Sequence, residues 1–193
     1  MKMDRRKAIK NIGTGIGAIT LTPSIAAIFQ SCQSSTGYTP VFISKKDFDS
    51  ISQIMELIIP TTDTPGAIEL KLPEFLDAYV DAVWSQDLKD SFSKGWGAFK
   101  NDALNSNGKE NVNQITKENW EEQLSKYLKE SIKSLETDEL ALKFANDLRD
   151  LTINSYKINE YVGENLLAYS PIPGDYKGCV DLKETTGGKA WSL

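Results

Sequence analysis

The sequence predicts an all-α protein: a compact bundle of about five to six helices with an irregular C-terminal tail, preceded by a signal segment. Three observations predict it. Apolar residues recur at three- and four-residue spacing through residues 44–168, the period of helices with one buried face. No stretch there sustains the strict alternation of a half-buried strand. Helix-start chemistry, Ser, Thr or Asp ahead of an apolar run and Pro in a first turn, punctuates the chain at fitting intervals. The resulting divisions are a signal segment at 1–32, a linker at 33–43, a helical domain at 44–168 and an extended tail at 169–193. At 193 residues, less the signal, there is room for one domain with one core.

Lys2, Arg5, Arg6, Lys7 and Lys10 face a single acid, Asp4, and no charge follows from Ile12 to Phe29. A basic stretch and then an apolar one is the layout of an export signal. Asp4-Arg5-Arg6-Lys7-Ala8-Ile9-Lys10 resembles the twin-arginine motif, whose route exports proteins already folded, so Arg5 and Arg6 are the export-signal candidates. Gly13, Gly15 and Gly17 make the apolar stretch mild, as such signals tend to be, and with Pro23 they weaken the rival reading of a membrane-spanning anchor. Cys32 follows Phe29-Gln30-Ser31 where a lipoprotein signal would end, which makes it a lipidation candidate, although Phe29 and Gln30 depart from the usual pattern. Cleavage near Ser24-Ile25-Ala26 is the alternative. The expected location is the cell envelope, on the periplasmic side and anchored to the membrane.

In the mature chain, Tyr38 to Ile43 reads as a short β-prone connector. Ser44, three residues before Asp47, starts the first helix, with Phe48, Ile51, Ile54, Met55, Ile58 and Ile59 as its stripe. Pro60 ends it. The loop that follows, Pro60-Thr61-Thr62-Asp63-Thr64-Pro65-Gly66-Ala67, is stiff and polar: each Pro lacks an N–H and pushes the preceding residue out of the α region. Asp63 is expected to lock the turn through backbone N–H groups, and Gly66 to permit a positive φ. Pro60, Asp63, Thr64, Pro65 and Gly66 are therefore candidates for a structural loop or a partner interface.

Pro73-Glu74 fits the first turn of the second helix, with Phe75, Leu76, Tyr79, Val80, Val83 and Trp84 as its stripe. Ser85 or Asp87 starts the third, with Leu88, Phe92, Trp96, Phe99 and Leu104 inward. Gly95 and Gly97 weaken its middle by roughly 1 kcal/mol each relative to Ala. Asn105-Ser106-Asn107-Gly108 closes it. Thr116 starts the fourth, with Trp120, Leu124, Tyr127, Leu128, Ile132 and Leu135 inward. Thr137-Asp138 starts the fifth, with Leu140, Phe144, Leu148 and Leu151 inward. A last short helix is expected around Glu160 to Ala168, using Val162 and Leu166.

From Tyr169 to Cys179 two prolines and two glycines rule out a continuing helix. This tail either drapes over its own bundle, with Trp191 in a groove, or embraces a partner through Tyr and Trp anchors. Tyr176, Cys179 and Trp191 are its interface candidates.

Composition excludes several classes. A net charge of −5 argues against nucleic acid, since phosphate binding needs concentrated Lys and Arg. The absence of histidine removes the commonest general base and the commonest metal and haem ligand. Two cysteines, Cys32 and Cys179, are too few for a zinc or iron–sulfur site. No Gly-rich dinucleotide fingerprint and no Cys-x-x-Cys-His occurs. Asp63, Asp77 and Asp81 read as caps or solvated charges rather than an acid–base pair. No residue is assigned a catalytic, cofactor-binding or metal role.

Ile58-Ile59-Pro60, Asp63-Thr64-Pro65-Gly66-Ala67 and Pro73-Glu74-Phe75-Leu76-Asp77 resemble the gluconate 2-dehydrogenase subunit 3 family. Pro171-Ile172-Pro173-Gly174, Tyr176-Lys177-Gly178-Cys179 and Gly188-Lys189-Ala190-Trp191 are similar too, and the twin-arginine-like start fits. The likeness runs from about Phe42 to the end, and the middle helices match only in pattern. It implies a non-catalytic small subunit of a membrane-associated sugar or polyol dehydrogenase. The large partner would be a flavoprotein of the glucose–methanol–choline type holding FAD, often with a cytochrome taking the electrons onward. The small subunit would bind that partner, escort it through export and anchor it. The competing reading is a stand-alone envelope lipoprotein whose helices bind a ligand or another protein.

Overall fold

Residues 37–128, 139–169, 174 and 179–192 are described by the computed structural model. Helices α1 (Lys45–Ile58), α2 (Leu72–Val83), α3 (Gln86–Ser106), α4 (Lys117–Leu128), α5 (Glu139–Lys157) and α6 (Leu182–Thr186) belong to one unit, Thr39–Leu193. The fold is all-α, and among the described residues the strand-like pairing is an isolated bridge between Ala168 and Trp191.

The helices begin where the local chemistry directs. Ser44 caps α1, its hydroxyl accepting the Asp47 N–H at 3.2 Å while donating to the Asp47 carboxylate at 2.7 Å. Pro73 sits in the first turn of α2, where its missing donor is no loss. Ser85 stands at the N-cap of α3. Asn111 and Gln114 form a reciprocal capping box around a 3-10 turn, Val112–Gln114, that leads into α4.

The core is aromatic, built mainly where α3 crosses α5. Phe92 meets Phe144 edge-on at 5.0 Å between ring centroids, and Phe99 packs on Phe144 at 5.4 Å. Phe99 also stacks on Trp120 of α4, 6.1 Å apart and 7° from parallel. Offset and edge contacts of this kind suit the quadrupole of the rings, and burying each side chain stabilises the fold by roughly 1.5–3 kcal/mol. Ile51, Ile54 and Met55 of α1 and Leu72, Leu76 and Val80 of α2 complete the core.

α3 runs unbroken through both of its glycines. A Cβ at Gly95 would lie 2.8 Å from Phe144 Cβ and 2.9 Å from the Leu140 carbonyl oxygen. The residue that weakens the isolated helix is thus the one that lets α3 and α5 approach.

Several residues expected inward are not. Phe75, Tyr79 and Val83 of α2 are exposed, as are Leu88 and Leu140. A stripe holding both 75/76 and 79/80 is wider than one packing contact covers, and in α2 the contact takes Leu72, Leu76 and Val80. Leu88 and Leu140 stand in first turns, where fewer neighbours surround a side chain. Ile132 and Leu135 lie outside the described residues, as does the expected Thr137-Asp138 start of α5.

The expected last short helix is a π-helical turn, Val162–Leu166, with Val162 buried. The tail contains α6, started by the Asp181 carboxylate on the Glu184 N–H at 3.0 Å and stopped at Gly187 with φ 65°. The chain then returns to the π turn. Ala168 donates to the Ala190 carbonyl at 2.7 Å and accepts from the Ser192 N–H at 2.8 Å, while Lys189 Nζ reaches the Asn165 carbonyl at 2.7 Å.

Candidate functional site

The stiff loop between α1 and α2 is held by a carboxylate that arrives from the helix before it. Glu56, in the last turn of α1, accepts the Thr61 N–H at 2.9 Å and the Thr61 hydroxyl at 2.8 Å on Oε1. Its Oε2 accepts the Ile68 N–H at 2.9 Å. Thr61 Oγ1 in turn accepts the Gly66 N–H at 3.2 Å, and Ala67 donates to the Ile59 carbonyl at 2.9 Å. The loop is therefore cross-tied at both ends, and Gly66 and Ala67 are buried beneath it. Pro60, Thr61, Thr62 and Asp63 form its exposed tip.

Two expectations for this loop are corrected. Asp63 is exposed and makes no hydrogen bond among the described residues, so it does not lock the turn; Glu56 does. Nor does Gly66 adopt a positive φ. The left-handed residue is Lys71, with φ 55°, at the N-cap of α2. Gly66 is needed for space: a Cβ there would lie 2.5 Å from Glu56 Oε1, Thr61 N and Thr61 Oγ1.

A second carboxylate ties the connector before α1 to α2. Asp77 is fully buried, and its Oδ2 accepts the Val41 N–H at 2.7 Å. Its Oδ1 accepts the Phe42 N–H at 3.0 Å and the Ile43 N–H at 2.6 Å. Asp77 is thus no solvated charge but the acceptor for three consecutive donors of a connector that pairs with no strand among the described residues. Asp81 is the exposed one of the pair, bonded to Lys89 at 3.0 Å. Sequence reasoning missed Glu56 and the role of Asp77. The signals were present: Glu56 interrupts Met55-Leu57-Ile58, and Asp77 stands on the face of α2 that carries Pro73, Leu76 and Val80.

A third hub joins α3 to α4. Asp102 Oδ2 accepts from Lys126 Nζ at 2.7 Å, Gln123 Nε2 at 2.8 Å and the Tyr127 hydroxyl at 2.8 Å. Burial raises the Asp102 carboxyl, but these donors outweigh it and hold its pKa below the ordinary value. Glu56 behaves alike: burial raises it, and the N–H groups of Ile68 and Thr61 with the Thr61 hydroxyl bring it lower. So does Asp47, where Ser44 and Lys100 outweigh burial. Carboxyls depressed on folding stabilise the native state above their unfolded pKa, and that stabilisation goes as pH falls through the folded value. The unfolding midpoint should therefore hold near neutrality and drop below about pH 4. Thermal melts across that range, run beside Asp102→Asn, check this; an unchanged slope in the variant counts against the hub.

Beside the loop, Leu57, Ile58 and Pro60 border an open groove of about 500 Å³ whose far wall carries Lys117, Leu124 and Arg149. Among the described residues no cluster of three or more Cys, Asp or Glu is arranged to hold a metal ion, and no helix is long and apolar enough to cross a membrane. The remaining predicted site residues scatter. Thr64 and Pro65 are half-buried in the loop, Cys179 is an exposed free thiol, and Trp191 is 48% exposed rather than seated in a groove. Arg5, Arg6, Cys32 and Tyr176 lie outside the described residues. The structure brings Pro60, Asp63, Thr64, Pro65 and Gly66 together; Cys179 and Trp191 belong to the tail.

A family model described as gluconate 2-dehydrogenase subunit 3 matches residues 45–174, more than half of the chain. That span holds the whole Glu56 tie and the Asp77 carboxylate, while the Asp77 donors, Val41 to Ile43, lie just before it. No curated protein and no solved structure matches the chain.

Proposed function

Because the chain belongs to the gluconate 2-dehydrogenase subunit 3 family, named for a subunit of a dehydrogenase complex, we propose that it is the non-catalytic small subunit of such a complex. It binds a flavoprotein dehydrogenase of the glucose–methanol–choline type, which carries the FAD and the active site. It escorts that partner, folded and flavin-loaded, through the twin-arginine route, and it anchors it at the periplasmic face of the membrane through the signal or a lipid on Cys32. The observation that carries this reading is the family match over residues 45–174. The absence of histidine, the most versatile acid–base residue, agrees with a chain that leaves chemistry to its partner. So does a rigid, preordered loop, which binds a partner at low entropic cost.

The test is export. The flavoprotein subunit is produced with the full chain, without it, and with Arg5→Lys/Arg6→Lys. Flavin-dependent dehydrogenase activity on the far side of the membrane should appear only with the unaltered chain. Equal exported activity in all three cultures sinks the escort role.

A further inference from the structure

α2 has two apolar faces, and the fold uses one. Leu72, Leu76 and Val80 are at most 1% exposed, packed on the bundle. Phe75, Tyr79 and Val83 follow at four-residue spacing on the outer side, exposed by 43%, 39% and 60%, and Ile68 in the preceding turn is 45% exposed. The Phe75 and Tyr79 rings stack on one another, 5.8 Å between centroids and 17° from parallel. Exposed apolar residues scattered singly need no explanation, but an aligned row headed by two ordered aromatic rings is what interfaces use as anchors.

We propose that this outer face of α2 is the surface on which the dehydrogenase subunit docks, and that the docking surface it meets is an apolar groove bordered by Lys or Arg. This rests on the subunit reading above. The charge of the segment that bears the face selects the occupant. Residues 68–90 carry six acids against two bases, one of which, Lys89, is committed to Asp81. Of the acids, Asp77 is buried, whereas Glu69, Asp87 and Asp90 are exposed. A second copy would set these acids against their own kind, and an anionic lipid surface would repel them. A basic-rimmed protein groove is drawn to them.

The helix is also held for the task. Asp77 ties it to the connector, and the Glu56 ties fix its approach through Ile68, so its rings arrive already placed. Ordering costs on binding are correspondingly small.

The experiment is a pull-down of the full-length chain with the flavoprotein subunit, read by bound-flavin absorbance and by titration. Phe75→Ser/Tyr79→Ser should weaken the complex by about 100-fold or more, the scale of losing two anchors. Helicity and melting midpoint should stay as in the unaltered chain, because both residues are exposed. Leu140→Ser/Ile158→Ser, on exposed apolar positions of α5 and just beyond it, should leave affinity unchanged, and Asp87→Lys should lower it most at low salt. If the unaltered chain holds the flavoprotein and the Phe75/Tyr79 variant holds it equally, the face is wrong and the subunit reading stands. If the unaltered chain holds no flavoprotein, the subunit reading falls and the face with it. Two further results overturn the face in favour of another occupant: a dimer of the unaltered chain that the variant dissolves, or binding to zwitterionic lipid vesicles that the variant alone loses while its flavoprotein complex persists.

Discussion

Asp77→Ala should destabilise the domain by roughly 2–4 kcal/mol, because three backbone N–H groups lose their shared acceptor and the buried one is left unsatisfied. Three donors converge on this carboxylate, and the shortest, from Ile43 at 2.6 Å, is buried. Removing the acceptor leaves these N–H groups without the bond and opens a space in a helix face that is otherwise sealed. A counter-effect exists, since deleting a buried charge also deletes its desolvation cost. That cost is recovered only if the remaining donors find other partners, and among the described residues no strand runs beside residues 41–43 to supply them. The loss therefore wins. Against a total stability of about 5–15 kcal/mol it is a large fraction, and it should lower the melting midpoint by about 10 °C. Asp77→Asn keeps one carbonyl oxygen and should fall between the two. Denaturant melts give the energies, and amide exchange at Val41, Phe42 and Ile43 reports the location. Equal and small effects of Ala and Asn, under about 1 kcal/mol, would show that the connector is held by something other than this carboxylate.

The helices, their caps and most of the aromatic core were legible in the sequence because they are local. A stripe at three- and four-residue spacing and a Ser three residues before an Asp are properties of neighbouring residues. That spacing puts Phe92, Trp96, Phe99, Trp120 and Phe144 inward, and the structure buries them. What spacing could not decide was which of two apolar faces of α2 meets the bundle, since both Leu76 and Phe75 suit a core. Phe75, Tyr79 and Val83 went to solvent because the other face was taken. Nor do the carboxylate ties show in local pattern: Asp77 bonds residues 34 to 36 positions away, and Glu56 reaches 12 positions to Ile68. The prolines and threonines mark the stiff loop in the sequence, but nothing local shows that its lock is the acid of the helix before it rather than the acid inside it. The glycines around α6 mask a helix whose start signal, Asp181 three residues before Glu184, matches that of Ser44 before Asp47.

Gly66→Ala tests that loop most sharply, because two accounts of the glycine predict different results. If Gly66 were there for a left-handed backbone, alanine would cost about 1–2 kcal/mol through strain at its own φ. If it is there for space, alanine must displace what surrounds it. The new Cβ would lie 2.5 Å from Glu56 Oε1, from Thr61 Oγ1 and from Thr61 N. The two side-chain oxygens could swing away, but only by giving up the bonds that close the loop. The third atom is backbone and cannot move without carrying Thr61 off Glu56. Alanine would also stiffen the unfolded chain, which favours folding by about 0.4–1 kcal/mol. Overpacking at about 1–3 kcal/mol, with a broken buried-side bond added, exceeds that gain. The net expectation is a loss of about 2–4 kcal/mol with the helices intact, seen as a lower melting midpoint and faster amide exchange at Thr61 and Ile68. The steric account makes a further demand that strain does not. In a Glu56→Ala/Thr61→Ala background two of the three clashing atoms are gone, so Gly66→Ala should cost markedly less there than in the unaltered chain. Gly108, at φ 60° with nothing within 4 Å of its Cβ position, is the matching control for strain alone. If Gly66→Ala and Gly108→Ala cost the same, and the Glu56/Thr61 background changes neither, the loop is held by its own prolines and threonines and Glu56 is incidental. If the costs separate as expected, the rigidity of the exposed tip from Pro60 to Asp63 is set by α1. In that case any partner that reads the tip is reading the end of that helix, and loosening Gly66 should weaken the complex while leaving the aromatic core of the bundle untouched.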